Sequence, residues 1–255
     1  MNEEVCVVIP IYKEILDMQE ETVLNECRDK LEGLDFFFMA PSDLNISYYK
    51  KVEHCEILSF SDWRKDDILD YNHLLMTSDF YKKFSAYEYM FIFQLDGMLL
   101  KGLDELIHFI RMGYDYMGAP WPGEGYRYCK RLIPGSGHIS LLRRFQGETI
   151  CKVGNGGVSI RKVDSMIHFF DTWKFEAMTW DKAEDIFISF YGQKRKYRLN
   201  IAPVGIAKQF SLEIDMKEKI GNGQIPFAVH KWEKYYPELL EEIGISKKWE
   251  KERKV

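Results

Sequence analysis

The sequence lacks the motifs that mark several common enzyme classes. No G-x-x-x-x-G-K-[ST] phosphate loop occurs, and no G-x-G-x-x-G follows the first apolar run, which argues against a P-loop enzyme and a dinucleotide fold of the usual kind. A G-x-S-x-G elbow and an H-E-x-x-H pair are also absent. Cysteine is scarce: the five residues Cys6, Cys27, Cys55, Cys129 and Cys151 form an odd set without C-x-x-C spacing, so neither a zinc knuckle nor a disulfide framework is expected. Positive charge is not in excess, with 35 Lys and Arg against 40 Asp and Glu, a net charge of -5 and a pI of about 5.8. That balance excludes bulk nucleic-acid binding. No run approaches the roughly 18 to 20 apolar residues of a membrane helix, and no basic segment with a small-residue cleavage site opens the chain. The expected setting is soluble, reducing and cytoplasmic, with peripheral membrane association through a complex left open. Internal repeats and low-complexity segments are not found.

What is present is a folding chain of 255 residues, 46% hydrophobic and 15% aromatic, a size that suits one large α/β domain over 1–255. Val5 to Tyr12 is a continuous apolar run broken by Pro10, as in a buried parallel strand. Residues 14–32 have helical spacing at Leu16, Val23, Leu24, Cys27 and Leu31 and end at Gly33. Strand patterns at 36–40 and 56–60 complete a β-α-β-β opening, the start of a doubly wound sheet. A helix is expected over 68–84, then the most apolar strand, 89–96, which ends in Asp96 and Gly97. A carboxylate is thereby placed at the carboxyl edge of a central strand, where open α/β sheets bind ligands. A helix over 103–112 and a strand over 116–121 follow. Residues 122–147, with five glycines, two prolines and the pairs Lys130-Arg131 and Arg143-Arg144, read as a long loop. Helices through Trp173 and over 181–191, a strand-like segment at 198–202, a loop to Gly223, the segment 226–232 and a charged tail at 246–255 complete the chain.

Four segments carry candidate chemistry. Asp96 is either a turn-forming residue or a metal ligand, since carboxylate, imidazole and phosphate oxygens suit Mn²⁺ or Mg²⁺. Gly154-Asn155-Gly156-Gly157 is either a tight bend or a place where backbone approaches a ligand, with the Asn155 amide available to sugar hydroxyls. Glu184-Asp185 opens a helix, where acidic residues complement the macrodipole, and a carboxylate there also suits removal of a proton from an acceptor hydroxyl. His230, in 226–232, is either a structural histidine or a partner of Asp96.

Taken together and in this order, the Gln94-Leu95-Asp96 strand end, residues 114–121, 154–161, Glu184-Asp185 and 226–232 resemble a bacterial family of uncharacterised domains grouped with GT-A-type glycosyltransferases. The resemblance runs over most of the chain. It implies a GT-A-like, Rossmann-like mixed and mainly parallel sheet flanked by helices, with a nucleotide-sugar-binding half over about 1–121 and an acceptor-binding half over about 122–245. It implies further that Asp96 holds the last position of a metal-binding Asp-x-Asp, that His230 is a late histidine ligand, and that Asp185 or Glu184 is the catalytic base. One departure is clear: Gln94 stands at the first Asp position, and a neutral amide lends a cation less charge. Either the donor diphosphate completes the metal site, or Lys130, Arg131, Arg143 and Arg144 neutralise the leaving group.

The leading expectation is a glycosyltransferase that moves a sugar, with inversion, from a nucleotide-diphosphate donor to a hydroxyl of a glycan or glycolipid. Asp185 first and Glu184 second would act as base, and Mn²⁺ or Mg²⁺ on Asp96 and His230 would stabilise the leaving diphosphate. Pro10, Ile11 and Tyr12 would meet the base and ribose, with Gln94, Asp96, Gly156 and Gly157 also at the donor. Trp121, Trp180 and Trp232 would stack on acceptor sugars beside Asn155, and 122–147 would form a lid. The alternatives are a nucleotidyltransferase and a non-catalytic glycan-binding or scaffold protein with a degenerate GT-A fold, which the Gln94 substitution favours.

Overall fold

The computed structural model describes residues 4–128 and 149–244. Runs rich in β-branched and aromatic residues form strands β1 (Val5–Pro10), β2 (Asp35–Pro41), β3 (Cys55–Phe60) and β4 (Tyr89–Phe93). β1 lies between β2 and β4, both parallel to it, with Val7 beside Phe36 on one side and Phe91 on the other. Every residue of β1 is buried, because helices cover both faces, and this is why the strand reads as an unbroken apolar run. After β5 (Gly97–Leu99), β6 (Tyr116–Met117), β7 (Tyr126–Tyr128) and β8 (Thr149–Cys151) comes β9 (Val158–Lys162). The main sheet has the order β3-β2-β1-β4-β9-β6, and within it β9 runs against the other strands. A smaller sheet joins β10 (Ser211–Leu212), β11 (Ala228–His230) and β5, while β7 pairs with β8. The expected GT-A-like α/β architecture, a mainly parallel sheet flanked by helices, is the one observed.

The helices are α1 (Met18–Lys30), α2 (Ile68–Leu74), α3 (Ser78–Lys82), α4 (Leu103–Arg111), α5 (Val163–Thr172), α6 (Lys174–Met178), α7 (Glu184–Tyr191), α8 (Val204–Phe210) and α9 (Met216–Gly221). Short helices at Trp232–Tyr235 and Leu239–Glu242 close the described chain. Alternation along the strands divides the core in two. Val5, Val7 and Ile9 of β1 and Phe91 and Phe93 of β4 pack with Val23, Leu24, Leu106, Phe109, Phe210 and Phe227. Cys6, Val8, Met90 and Ile92 face the other way, onto Phe80, Tyr81, Met166, Phe169 and Phe187. None of the helices among the described residues is long and apolar enough to cross a membrane.

Three elements differ from the sequence expectation, each for a local reason. The helix expected over 68–84 is two helices, because the Thr77 hydroxyl accepts the Phe80 N–H at 3.3 Å and starts α3 afresh. The apolar run 89–96 leaves the sheet at Phe93: the chain turns with Gly97 N–H donating to Gln94 O at 2.9 Å and returns as β5. In the segment expected as strand over 116–121, the ladder covers Tyr116–Met117, and Pro120 forms an isolated bridge to Val153. The expected loop over 122–147 opens with β7; its remainder from residue 129, like the tail 246–255, lies outside the described residues.

Just after β6 the backbone of Gly118 passes so close to the chain at 154–155 that a Cβ would sit 1.9 Å from the Gly154 carbonyl oxygen and 2.9 Å from that of Asn155. Gly205 in α8 has no such neighbour within 4 Å. Gly118→Ala is therefore expected to lower stability by about 3 kcal/mol through overpacking, whereas Gly205→Ala raises it by about 0.5 kcal/mol through helix propensity. Urea denaturation of the two variants checks the contrast; equal midpoints would refute the contact at Gly118.

Candidate functional site

At the carboxyl edge of the main sheet, β1 delivers Tyr12 and β4 delivers Gln94 to Asp96. His230 reaches the same place from far along the chain: β11 pairs antiparallel with β5, and the register sets His230 opposite Gly97. The His230 Nε2 lies 3.0 Å from Asp96 Oδ1 and 3.2 Å from Gln94 Oε1. Both neighbours are acceptors, so the hydrogen-bond pattern assigns a proton to Nε2. Gln94 is oriented by its other end, where Nε2 donates to the Tyr71 hydroxyl at 3.2 Å. Asp96 keeps 42% of its side chain exposed, while His230 is buried. Burial pushes the Asp96 carboxyl up, yet the hydrogen bond and charge of His230, with Lys231 beyond it, bring it below the ordinary carboxylate value.

The second part of the site is the turn Asn155-Gly156-Gly157, which leads into β9. A Cβ on Gly157 would lie 2.4 Å from both Gln94 Oε1 and His230 Nε2, and one on Gly156 would lie 1.8 Å from Glu184 Oε1. Glycine is needed at both positions for close passage. The Gly157 carbonyl accepts from Gln94 N–H at 2.7 Å, and Asn155 N–H donates to Asp185 Oδ2 at 2.7 Å. One turn therefore touches the Asp96 and His230 cluster at one end and the carboxylates of α7 at the other.

Those two carboxylates, adjacent in sequence, have different surroundings. Glu184 is buried and its Oε1 is 2.8 Å from Arg161 Nη2. Arg161 itself is fully buried and also donates to the Tyr81 hydroxyl, Ser159 Oγ and the Gly156 carbonyl. Asp185 is part-exposed and is held by two backbone N–H groups, from Asn155 and from Ile186 at 2.7 Å. Burial first, then the neighbouring negative charge of Glu184, raise the Asp185 carboxyl to about 6. Glu184 thus holds the guanidinium, and Asp185 is the carboxylate left with access to solvent.

Other expected site residues divide. Tyr12 is exposed beside the cluster, and after burial the charge of Asp96 is the largest influence raising its phenol. Pro10 and Ile11 are buried beneath it, at the end of β1 and just after it. Trp180 and Trp232 are corrected to core residues: they are 4% and 2% exposed, packed into the two core clusters, and present no free ring face to a sugar. Trp121 is half-buried at the surface, its ring against Gly154. Lys130, Arg131, Arg143 and Arg144 lie outside the described residues. Three residues escaped sequence reasoning: Arg161, Glu213 and Lys231. Glu213 Oε2 accepts from Asn155 Nδ2 at 2.5 Å and Oε1 from Lys231 Nζ at 2.8 Å. Asn155 and Lys231 have φ of 60° and 52°, a left-handed conformation that costs about 1 kcal/mol or more in a non-glycine residue. A single carboxylate fastens both. The available signals were the adjacency of Lys231 to His230 and the place of Arg161 at the end of the 154–161 segment.

Among the described residues no group of three or more His, Cys, Asp and Glu side chains is disposed to hold a metal. Asp96 and His230 make a pair, with the Gln94 amide oxygen as a neutral third donor.

The mainly parallel sheet with β9 reversed, flanked by helices, is a glycosyltransferase-like α/β fold. The chain belongs to the family described as "Protein of unknown function (DUF5672)", whose model matches residues 54–230. No curated protein matches it. Among solved structures it is similar to the WbbM bifunctional glycosyltransferase in its apo form, with a TM-score of 0.52 and 9% identity over 90% of this chain. That likeness is one of fold, and this chain spans 46% of the WbbM chain.

Breaking the buried pair tests the description of α7. Arg161→Met should cost about 3 to 5 kcal/mol by leaving Glu184 uncompensated. Arg161→Met with Glu184→Leu should recover most of that loss in guanidinium chloride unfolding; a single variant as stable as the parent would contradict the pairing.

Proposed function

We propose that the protein is an inverting glycosyltransferase that moves a sugar from a nucleotide-diphosphate donor to a hydroxyl of a glycan or glycolipid. The observation that carries this reading is the shared turn: Asn155 N–H donates to Asp185 and the Gly157 carbonyl accepts from Gln94 N–H, so one short segment ties the proposed base to the cluster of Gln94, Asp96 and His230. In the reaction the acceptor oxygen forms a bond to the anomeric carbon as the bond from that carbon to the diphosphate oxygen breaks. The acceptor proton passes to Asp185, and the electron pair leaves with the nucleoside diphosphate. A carboxylate whose pKa is raised towards neutrality is a better proton acceptor than an ordinary one and is still ionised at pH 7.

The donor set fits a divalent cation in part. Contacts of 3.0 Å from Asp96 Oδ1 and 3.2 Å from Gln94 Oε1 to His230 Nε2 match the separation of about 3 Å between neighbouring ligand atoms on an ion with bonds near 2.1 Å. Once Nε2 has given up its proton, Asp96 and His230 would hold Mn²⁺ or Mg²⁺, with the Gln94 amide oxygen beside them. When bound, the ion supplies positive charge for the leaving diphosphate. Tyr12 offers an exposed ring to the nucleotide.

Nucleotide sugars tested with Mn²⁺ should include at least one that raises the melting temperature by several degrees, and Asp96→Ala should abolish the shift. No shift with any donor would sink the reading. Asp185→Asn should keep the shift and lower kcat by roughly 10²- to 10⁴-fold. Because the base must be deprotonated, kcat/KM should level off above about pH 6 and fall about tenfold per unit below it. A pH-independent rate from pH 4.5 to 7 would remove Asp185 from the role.

A further inference from the structure

A cleft of about 640 Å³, within the size range of small-molecule sites, opens beside the turn, with Glu213 in its lining. Its lining includes Trp121, Lys152, Lys208, Glu213 and Ile214. Trp121 is fixed rather than mobile. Its backbone N–H donates to Lys152 O at 3.0 Å, Gly154 N–H donates to Ala119 O at 3.1 Å on the same ladder, and the indole presses on Gly154, where a Cβ would be 2.1 Å from Cη2. The result is a rigid aromatic platform within a rim of charged groups. A lipid chain would need an apolar lining throughout; a sugar ring, with one C–H face and many hydroxyls, matches an indole bordered by carboxylate and ammonium groups.

Glu213 belongs to the cleft and to the turn at once. Its two oxygens hold Asn155 and Lys231, the residues that precede Gly156 and follow His230, both in the left-handed conformation. Any ligand group that bonds to Glu213 from the cleft therefore acts on the carboxylate that fastens the donor side.

We propose that this cleft is the acceptor site, that it takes a pyranoside with the C–H face of its ring on Trp121, and that Glu213 is a positioning residue coupling cleft occupancy to the donor turn. The assignment as acceptor site rests on the transferase reading above. Saturation-transfer NMR with methyl β-glucopyranoside, methyl β-galactopyranoside, methyl α-mannopyranoside and methyl N-acetyl-β-glucosaminide tests it. At least one should bind, with transfer concentrated on the protons of one ring face.

Trp121→Ala should raise its Kd by about tenfold. Ile214→Trp should do the same by filling the cleft from an exposed position, 41% accessible, where folding is not at stake. Both variants should keep the nucleotide-sugar thermal shift. Glu213→Gln should weaken pyranoside and nucleotide-sugar binding together. Pyranoside binding that survives Ile214→Trp overturns the cleft, and loss of only one ligand in Glu213→Gln overturns the coupling. Nucleotide-sugar shifts without any pyranoside binding remove the acceptor assignment and leave the transferase reading intact. Pyranoside binding that depends on Trp121, with no nucleotide-sugar shift, does the reverse: the saccharide cleft stands and the transferase reading falls.

Discussion

The close passage of the Asn155-Gly156-Gly157 backbone between two groups of side chains is the constraint on which the site depends. On one side lie Gln94 and His230, on the other Glu184, and in neither direction is there room for a methyl group. Without that closeness the turn could not give its Gly157 carbonyl to Gln94 N–H while giving its Asn155 N–H to Asp185. The turn is in this sense a backbone bridge between the end of β4 and the start of α7. Gly118 and Gly154 extend the same condition outward, to the chain after β6 and to the Trp121 ring.

Electrostatics then separates groups that the sequence presents as equivalent. Glu184 and Asp185 are neighbours, yet a helix turns successive side chains about 100° apart, so one enters the core and the other stays part-exposed. Burying Arg161 without a partner would be costly, and Glu184 supplies the compensating charge. The same fixed carboxylate disfavours a second negative charge beside it, which raises Asp185. Burial is the larger cause of that rise, the Glu184 charge adds to it, and the Arg161 guanidinium opposes it. Glu213 has a comparable double relation, because it fastens two left-handed residues on the donor side and faces a cleft with its remaining surface.

Much of the fold was legible in the chain. The buried runs of β1 and β4, the helical spacing of α1 and the carboxylate just past β4 follow from local periodicity, because each strand covered on both faces must be apolar throughout. Local pattern was silent where a contact outweighed it. The Thr77 cap divided one helical stretch into two, and Trp180 and Trp232, indistinguishable by type from Trp121, went into the core. Aromatic residues next to glycine-rich segments carry no mark of which way the ring faces; that depends on which elements pack beside them.

By itself the sequence determined the elements of a mainly parallel α/β sheet and the short list of segments able to carry chemistry, since both depend on residue type and spacing within a few turns of chain. Tertiary structure alone decided which of those segments meet. His230 stands beside Asp96 because β11 pairs with β5 in one register, and Arg161 reaches Glu184 because β9 and α7 share a core face. Contacts between residues 23 or 134 positions apart arise from strand pairing and packing across the sheet, and no local periodicity encodes them.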